Sequence, residues 1–256
     1  MEISVESYVY IFLLIGFSGF VDSIAGGGGL ISIPTYVAFG LPAEFILGTN
    51  KATSTIGTTA AVVRYIRAKL VHWPIALFAI VAALVGSYFG AKLSSVLSKE
   101  WMFYLILIVA PIVIFLNHRY VKTGRESHRV KLSWRLALMS TVIGLVIGFY
   151  DGFFGPGTGS FLIVAFVWGL KFSLKEASAN ARIVNYSSNF SAFVTFVLSG
   201  AVLWSVVIVA AVGSVFGNLI GSQLVVKKAD LVVKPIFNCV LVLLILKCAH
   251  EIFLRS

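Results

Sequence analysis

The chain has 256 residues, of which 59% are hydrophobic and 12% charged, and its mean hydropathy is +0.99. Soluble domains carry about 25% charged residues, so this composition excludes an ordinary globular domain and indicates a polytopic membrane protein. The formal net charge of +10 is concentrated in short loops, which fits a topology signal at the cytoplasmic leaflet better than a nucleic-acid-binding face.

The apolar segments are long and lack the period-two alternation of barrel strands, so the expected fold is all-α. The opening MEISVESYVY is acidic where a signal peptide is basic, and it is expected to be retained. A first segment is predicted over 8–24. It ends at Gly26, Gly27, Gly28 and Gly29, and each glycine in a helix interior costs about 1 kcal/mol against alanine, so the helix must break there. In hydrocarbon such a break is tolerated only where protein or a water-filled cavity satisfies the freed backbone groups. The next segment, 30–39, is too short for the roughly 20 residues a span needs. Gly40 to Glu44 is expected to turn, and a third segment over 48–66 opens with the polar run GTNKATSTIGTT. Segments over 73–97 and 101–116 follow, then a hydrophilic stretch, 117–131. After it come an apolar segment at 132–150, DGFFGPGTG at 151–159, a short segment at 160–170, and three more over 177–198, 204–226 and 231–253.

The second half repeats the first. GFVDSIAGGGG matches GFYDGFFGPGTG with Asp22 on Asp151, and a constant separation of 131 residues places Lys51 on Arg182, Trp73 on Trp204, Gly86 on Gly217 and Gly90 on Gly221. The chain therefore reads as a single transmembrane domain, 1–256, with repeat one over 1–116, a basic loop over 117–131 and repeat two over 132–256. With five segments per half and the N-terminus outside, the inside loops hold Arg64, Arg67, Lys69, five cations of the central loop, Lys171, Lys175, Lys227, Lys228 and Lys234. The outside holds Lys92, Lys99, Lys247 and Arg255, as the positive-inside rule favours. An odd number of crossings makes the repeats inverted, each with a glycine-rich broken helix or re-entrant hairpin. Counting each broken pair as one span would make them parallel and divide the basic loops more evenly.

Lys51 and Arg182 are the expected centre of the chemistry. A cation at the middle of a span costs at least about 2.5–3.5 kcal/mol without a partner or a task. Two such cations suit a small anion; alternatively each pins its own hairpin by pairing within its half, Lys51 with Asp22 and Arg182 with Asp151. The two aspartates are candidates for a coupling-ion or gating role, or for caps on the loose N–H groups of the breaks. If half-helices begin near Leu30 and Ser160, then Gly27, Gly28, Gly29, Gly157, Thr158 and Gly159 offer N–H groups and the positive end of a dipole to an anion; close helix packing is the plainer alternative. Asn50, Thr53, Ser54 and Thr58 around Lys51, and Asn180, Asn185, Ser188 and Asn189 around Arg182, form polar stripes that could line a cavity or link helices. The five tryptophans read as interfacial anchors, Cys239 and Cys248 as buried apolar residues, and the four histidines have no metal-site or catalytic spacing.

DSIAGGGG, GTNK and DGFFGPGTG together resemble the TauE/SafE family, also called the toluene sulfonate uptake permease family, over essentially the whole chain. The resemblance implies a multi-pass carrier of the bacterial or archaeal cytoplasmic (inner) membrane that moves sulfite, a sulfonate or another small sulfur-containing or carboxylic anion, and no enzyme. Asn180-Ala181-Arg182 stands where the first half has Thr49-Asn50-Lys51, so the two sites need not be equivalent. The expected partners are a small anionic substrate and the lipid bilayer, with no nucleic acid and no cofactor. Proton or sodium coupling and a homodimer are left open. An anion channel and a small-carboxylate carrier are the alternative functions.

Overall fold

A computed structural model describes residues 5–96 and 132–253. The predicted segment at 101–116 and the basic loop at 117–131 lie outside the described residues, as does the side chain of Cys248. The described residues form eight helices and no strand. These are α1 (Val5–Ala25), α2 (Gly29–Ala38), α3 (Ala43–Arg67), α4 (Trp73–Ser94), α5 (Trp134–Phe153), α6 (Thr158–Gly169), α7 (Leu174–Leu198) and α8 (Trp204–Phe253). Four segments are long and apolar enough to cross a membrane: α1, α4, α5 and Trp204–Ala229 of α8.

The helices break where glycine allows it. Gly26 (φ +76°) ends α1, and Gly155 and Gly157 (φ +100° and +82°) separate α5 from α6, a backbone region open chiefly to glycine. Several boundaries differ from the sequence expectation. Asp22 sits in the last turn of α1, inside the segment expected over 8–24, whereas Asp151, expected just past the segment at 132–150, sits in the last turn of α5. Pro42 places the start of α3 at Ala43, earlier than expected, and α7 begins at Leu174 behind a capping box of Ser173 and Glu176. The last two predicted segments are kept apart: α8 is two helices that meet at non-helical backbone at Lys228, between the expected bounds of 226 and 231. Cys239 is exposed, not buried.

The helices of the two halves exchange partners. α1 packs along α8 and α4 along α5, while α3 also lies on α8 and α7 on α4. The contacts match across the repeat. A Cβ at Gly217 would collide with Gly16 O and the Phe20 N of α1, and one at Gly86 with Leu145 O and the Phe149 N of α5. Further glycines of these faces, among them Gly90, Gly148 and Gly221, also leave no room for a Cβ beside the opposing main chain. Small residues let the backbones approach where lipid supplies no hydrophobic drive to association, so dispersion carries the packing. The outer faces carry Leu77, Val81, Val146, Ile208 and Ile220, all exposed as a lipid-facing surface requires.

Gly217→Ala and Gly86→Ala are each expected to cost about 1–3 kcal/mol, seen as an earlier thermal unfolding of the protein in detergent. Unchanged unfolding would mean that these helices stand further apart.

Candidate functional site

The two breaks meet. Gly26 lies against the backbone of Gly159, Gly29 lies beside Pro156, and the Ser160 hydroxyl donates to Ala25 O at 2.6 Å. Beside this crossing lies a small cleft of about 270 Å³, its open mouth included. It is lined by Asp22, Gly26, Gly29, Asn50, Lys51, Ser54, Asp151, Gly155, Thr158, Gly159, Asn185 and Asn189. Much of that volume is open space at the mouth, so the enclosed part is small.

The charges pair across the repeats. Lys51 Nζ lies 2.7 Å from Asp151 Oδ1, with side chains 1% and 2% exposed, and Arg182 Nη1 lies 2.6 Å from Asp22 Oδ2, with side chains 2% and 15% exposed. This corrects the expected pairing within each hairpin: because α1 and α5 lie on the helices of the other half, each aspartate reaches the other repeat's cation. Every carboxylate oxygen has a partner. Asp151 Oδ2 accepts the Ser188 hydroxyl at 2.7 Å, and Asp22 Oδ1 accepts the Gly28 N–H at 3.1 Å. Arg182 Nη1 also donates to Asn185 Oδ1 at 3.2 Å, and its Nε is buried without a partner. Close approach again needs glycine: a Cβ at Gly28 would strike Asp22, and one at Gly155 would crowd Lys51 Nζ.

Among the sequence-expected site residues, Lys51, Asn50, Ser54, Asn185, Asn189, Gly29, Thr158, Gly159, Asp22 and Asp151 line the cleft. Arg182, Thr53, Asn180, Gly27, Gly28 and Gly157 do not. Arg182 is held by Asp22 and Asn185, while Thr53 accepts the Tyr36 hydroxyl at 3.1 Å. Asn180 is a tie between the halves: its Oδ1 accepts the His72 N–H at 3.0 Å and its Nδ2 donates to Leu70 O at 3.1 Å. Gly157 is the left-handed N-cap of α6, and Gly28 precedes α2, where its carbonyl accepts the Ser18 hydroxyl at 2.8 Å. Sequence reasoning missed Gly26 and Gly155 as lining residues, although both belong to the glycine clusters it singled out. It also missed His72, whose ring stacks on Phe172 (centroids 4.9 Å apart) with Nε2 3.0 Å from Glu176 Oε1. Among the described residues there is no group of three or more His, Cys, Asp or Glu that could hold a metal ion.

The cleft offers an ammonium group, amide and hydroxyl donors and the first residues of two short helices, which together fit an oxyanion. Breaking a buried ion pair by deleting one partner leaves an uncompensated charge at a cost of about 3–5 kcal/mol. Lys51→Ala is therefore expected to destabilise the protein, and adding Asp151→Ala to recover part of the loss, as read by thermal unfolding. Recovery by Asp22→Ala instead would return the pair to a single repeat.

The sequence profile of the family described as "Sulfite exporter TauE/SafE" matches residues 11–248. A "Probable membrane transporter protein" of Haemophilus influenzae is 33% identical, over 92% of this chain and 91% of its own length. The "Probable membrane transporter protein YfcA" of Escherichia coli strain K12 is 34% identical, over 94% and 89%. The "Probable membrane transporter protein YdhB" of Bacillus subtilis is 24% identical, over 82% and 84%. No solved structure matches the chain.

Proposed function

The chain belongs to the TauE/SafE sulfite exporter family of membrane transporters, and from that premise we propose that it carries a small anion, sulfite, an organosulfonate or a related sulfur-containing anion, across the cytoplasmic membrane by alternating access. The observation that carries this reading is the cleft at the crossing of the two breaks, where Lys51 faces a space lined by Asn50, Ser54, Asn185 and Asn189. The Lys51 ammonium and the amide and hydroxyl donors beside it favour an anion, which has to take that lysine from Asp151, because the carboxylates of Asp22 and Asp151 also line the space.

The moving parts are two inverted repeats, 1–116 and 132–256, joined by the loop 117–131. Matched loops lying at opposite ends support this. The loops that follow α3 and α6 touch through the His72–Phe172 stack, whereas those that follow α2 and α7 are joined to the neighbouring helices by Leu41 packing with Val206 and by the Leu203 N–H donating to Thr49 Oγ1 at 3.0 Å. The first pair of loops carries Lys69 and Lys171 in the left-handed region (φ +56° and +61°). At the 131-residue separation their counterparts are Gly200 and Gly40, both at φ +71°. A side chain in that conformation costs roughly 1–2 kcal/mol. Lysine there, where the other end keeps glycine, fits a cytoplasmic end selected for positive charge.

In a background with both cysteines replaced by alanine, Ala68→Cys is expected to be shielded from a membrane-impermeant maleimide in intact cells and Ala201→Cys to be labelled. The reverse pattern would invert the topology, and labelling of both or neither would remove the inverted arrangement.

Binding is tested by thermal unfolding of the purified full chain with sulfite, methanesulfonate, sulfoacetate, thiosulfate or acetate. A ligand at a hundred times its Kd adds about 2.7 kcal/mol of apparent stability. Sulfur oxyanions are expected to raise the unfolding temperature of the wild-type protein and not that of Lys51→Ala/Asp151→Ala. A response to acetate alone would make this a carboxylate carrier, and no response to any anion would sink the reading.

A further inference from the structure

Resting on the carrier reading above, we propose that each negative charge enters the cleft together with one proton, and that Asp151, not Asp22, is the group that takes it. As built, the cluster of Lys51, Arg182, Asp22 and Asp151 is neutral, and the remaining lining residues are glycines, amides and hydroxyls. Lys51 is the cation that faces the cleft, so a monoanion docks on Lys51 and must displace the Asp151 carboxylate from it. The site then holds one unbalanced negative charge in surroundings where an isolated ion is poorly solvated. A proton from water, added to the freed carboxylate to make a neutral carboxylic acid, restores the balance; on release the proton leaves and Asp151 returns to Lys51.

Hydrogen bonding distinguishes the two aspartates. The groups around Asp22 are the Arg182 guanidinium and the Gly28 N–H, both of which can only donate, so they hold Asp22 in its ionised, accepting form. Arg182 does not line the cleft and stays with Asp22 when the anion enters. Asp151 has Lys51, which the anion takes over, and Ser188, whose hydroxyl can both donate and accept. The Ser188 hydroxyl lies 2.7 Å from Asp151 Oδ2 and 2.9 Å from Asn185 O. It donates to the carboxylate when Asp151 is ionised. When Asp151 is protonated, the hydroxyl turns its proton to Asn185 O and accepts the acid proton from Asp151. The position matching Ser188 in the other repeat is Gly57, which has no side chain to do this for Asp22. The charged groups facing Asp151 from the elements around the cleft are Lys51 of α3, Asp22 of α1 and Arg182 of α7, and α2 and α6 bring no titratable side chain to the lining.

The test uses the full chain in sealed proteoliposomes, with isotope-labelled methanesulfonate as a probe that stays a monoanion at every working pH. An inward proton gradient is expected to drive accumulation, while a potassium-diffusion potential alone is not. Binding affinity of the wild-type protein, which needs no variant, should weaken by about tenfold per pH unit across the range in which anion entry protonates Asp151. In Asp151→Asn, any exchange that remains should be insensitive to pH and undriven by the proton gradient. Ser188→Ala should shift the pH profile, and Ser188→Thr, which restores a hydroxyl, should return it. Saturable, Lys51-dependent flux that carries current, follows a sodium gradient or ignores pH would overturn this inference and leave the carrier intact. Absence of saturable methanesulfonate flux would remove both.

Discussion

The structure depends on crossed neutralisation of two buried cations. Neither Lys51 nor Arg182 is paired by an acid of its own repeat; each takes the aspartate of the other. An unpaired charge at this depth costs several kcal/mol, so each half satisfies its interior only when docked on the other. That requirement explains the small-residue faces between α1 and α8 and between α4 and α5, because the aspartates sit at the ends of the helices that those faces hold close. It also explains where glycine is needed in the breaks: Gly28 beside Asp22 and Gly155 beside Lys51 are positions at which any side chain would push a charged group off its partner.

Pseudo-symmetry builds two pairs, and local differences make them unlike. Lysine is a compact ammonium that can exchange one oxygen ligand for another, whereas the guanidinium of Arg182 is committed to Asp22 and Asn185 by directional bonds. Asp151 is almost wholly enclosed and leans on a hydroxyl, while Asp22 is partly open and leans on a backbone N–H. Both aspartates border the cleft, but of the two cations only Lys51 does, and Arg182 lies behind Asp22.

Much of this was legible in the sequence. The helical class and the glycine breaks follow from composition and propensity, the duplication from a constant separation, and the family from the resemblance of the DSIAGGGG, GTNK and DGFFGPGTG motifs. On α3 and α7, residues three and seven positions from the cation share its face at 3.6 residues per turn, and Ser54, Asn185 and Asn189 line the cleft, although Thr58 does not. Thr53 and Asn180 lie two positions from their cations, about 200° around the helix, and turn to other neighbours. The partner of each cation was not legible. Pairing within a hairpin is the shorter path along the chain, and only the packing of α1 and α5 on the opposite half brings the distant aspartate closer. His72 was missed for a similar reason, since Phe172 and Glu176 are about a hundred residues away in sequence.

The two ends of the molecule are closed by different chemistry, and this bears on how a carrier of this shape would open. At the lysine-bearing end the Asn180 amide holds the His72 N–H and Leu70 O, and His72 itself is clamped between Phe172 and Glu176. At the matching positions of the other end, Thr49 accepts the N–H of Leu203, and Leu41, Ile46 and Val206 belong to one buried apolar cluster. Both closures join the first two turns of α3 or α7 to the entry of the opposite half's α8 or α4, and α3 and α7 are the helices that carry Lys51 and Arg182. A shift of α3 or α7 that loosened one closure would therefore move a buried cation relative to the aspartate of the other half. In the proposed cycle, opening an end and exposing an ion pair are one motion, because the same helix carries the closure in its first two turns and the cation only two residues beyond Thr49 or Asn180.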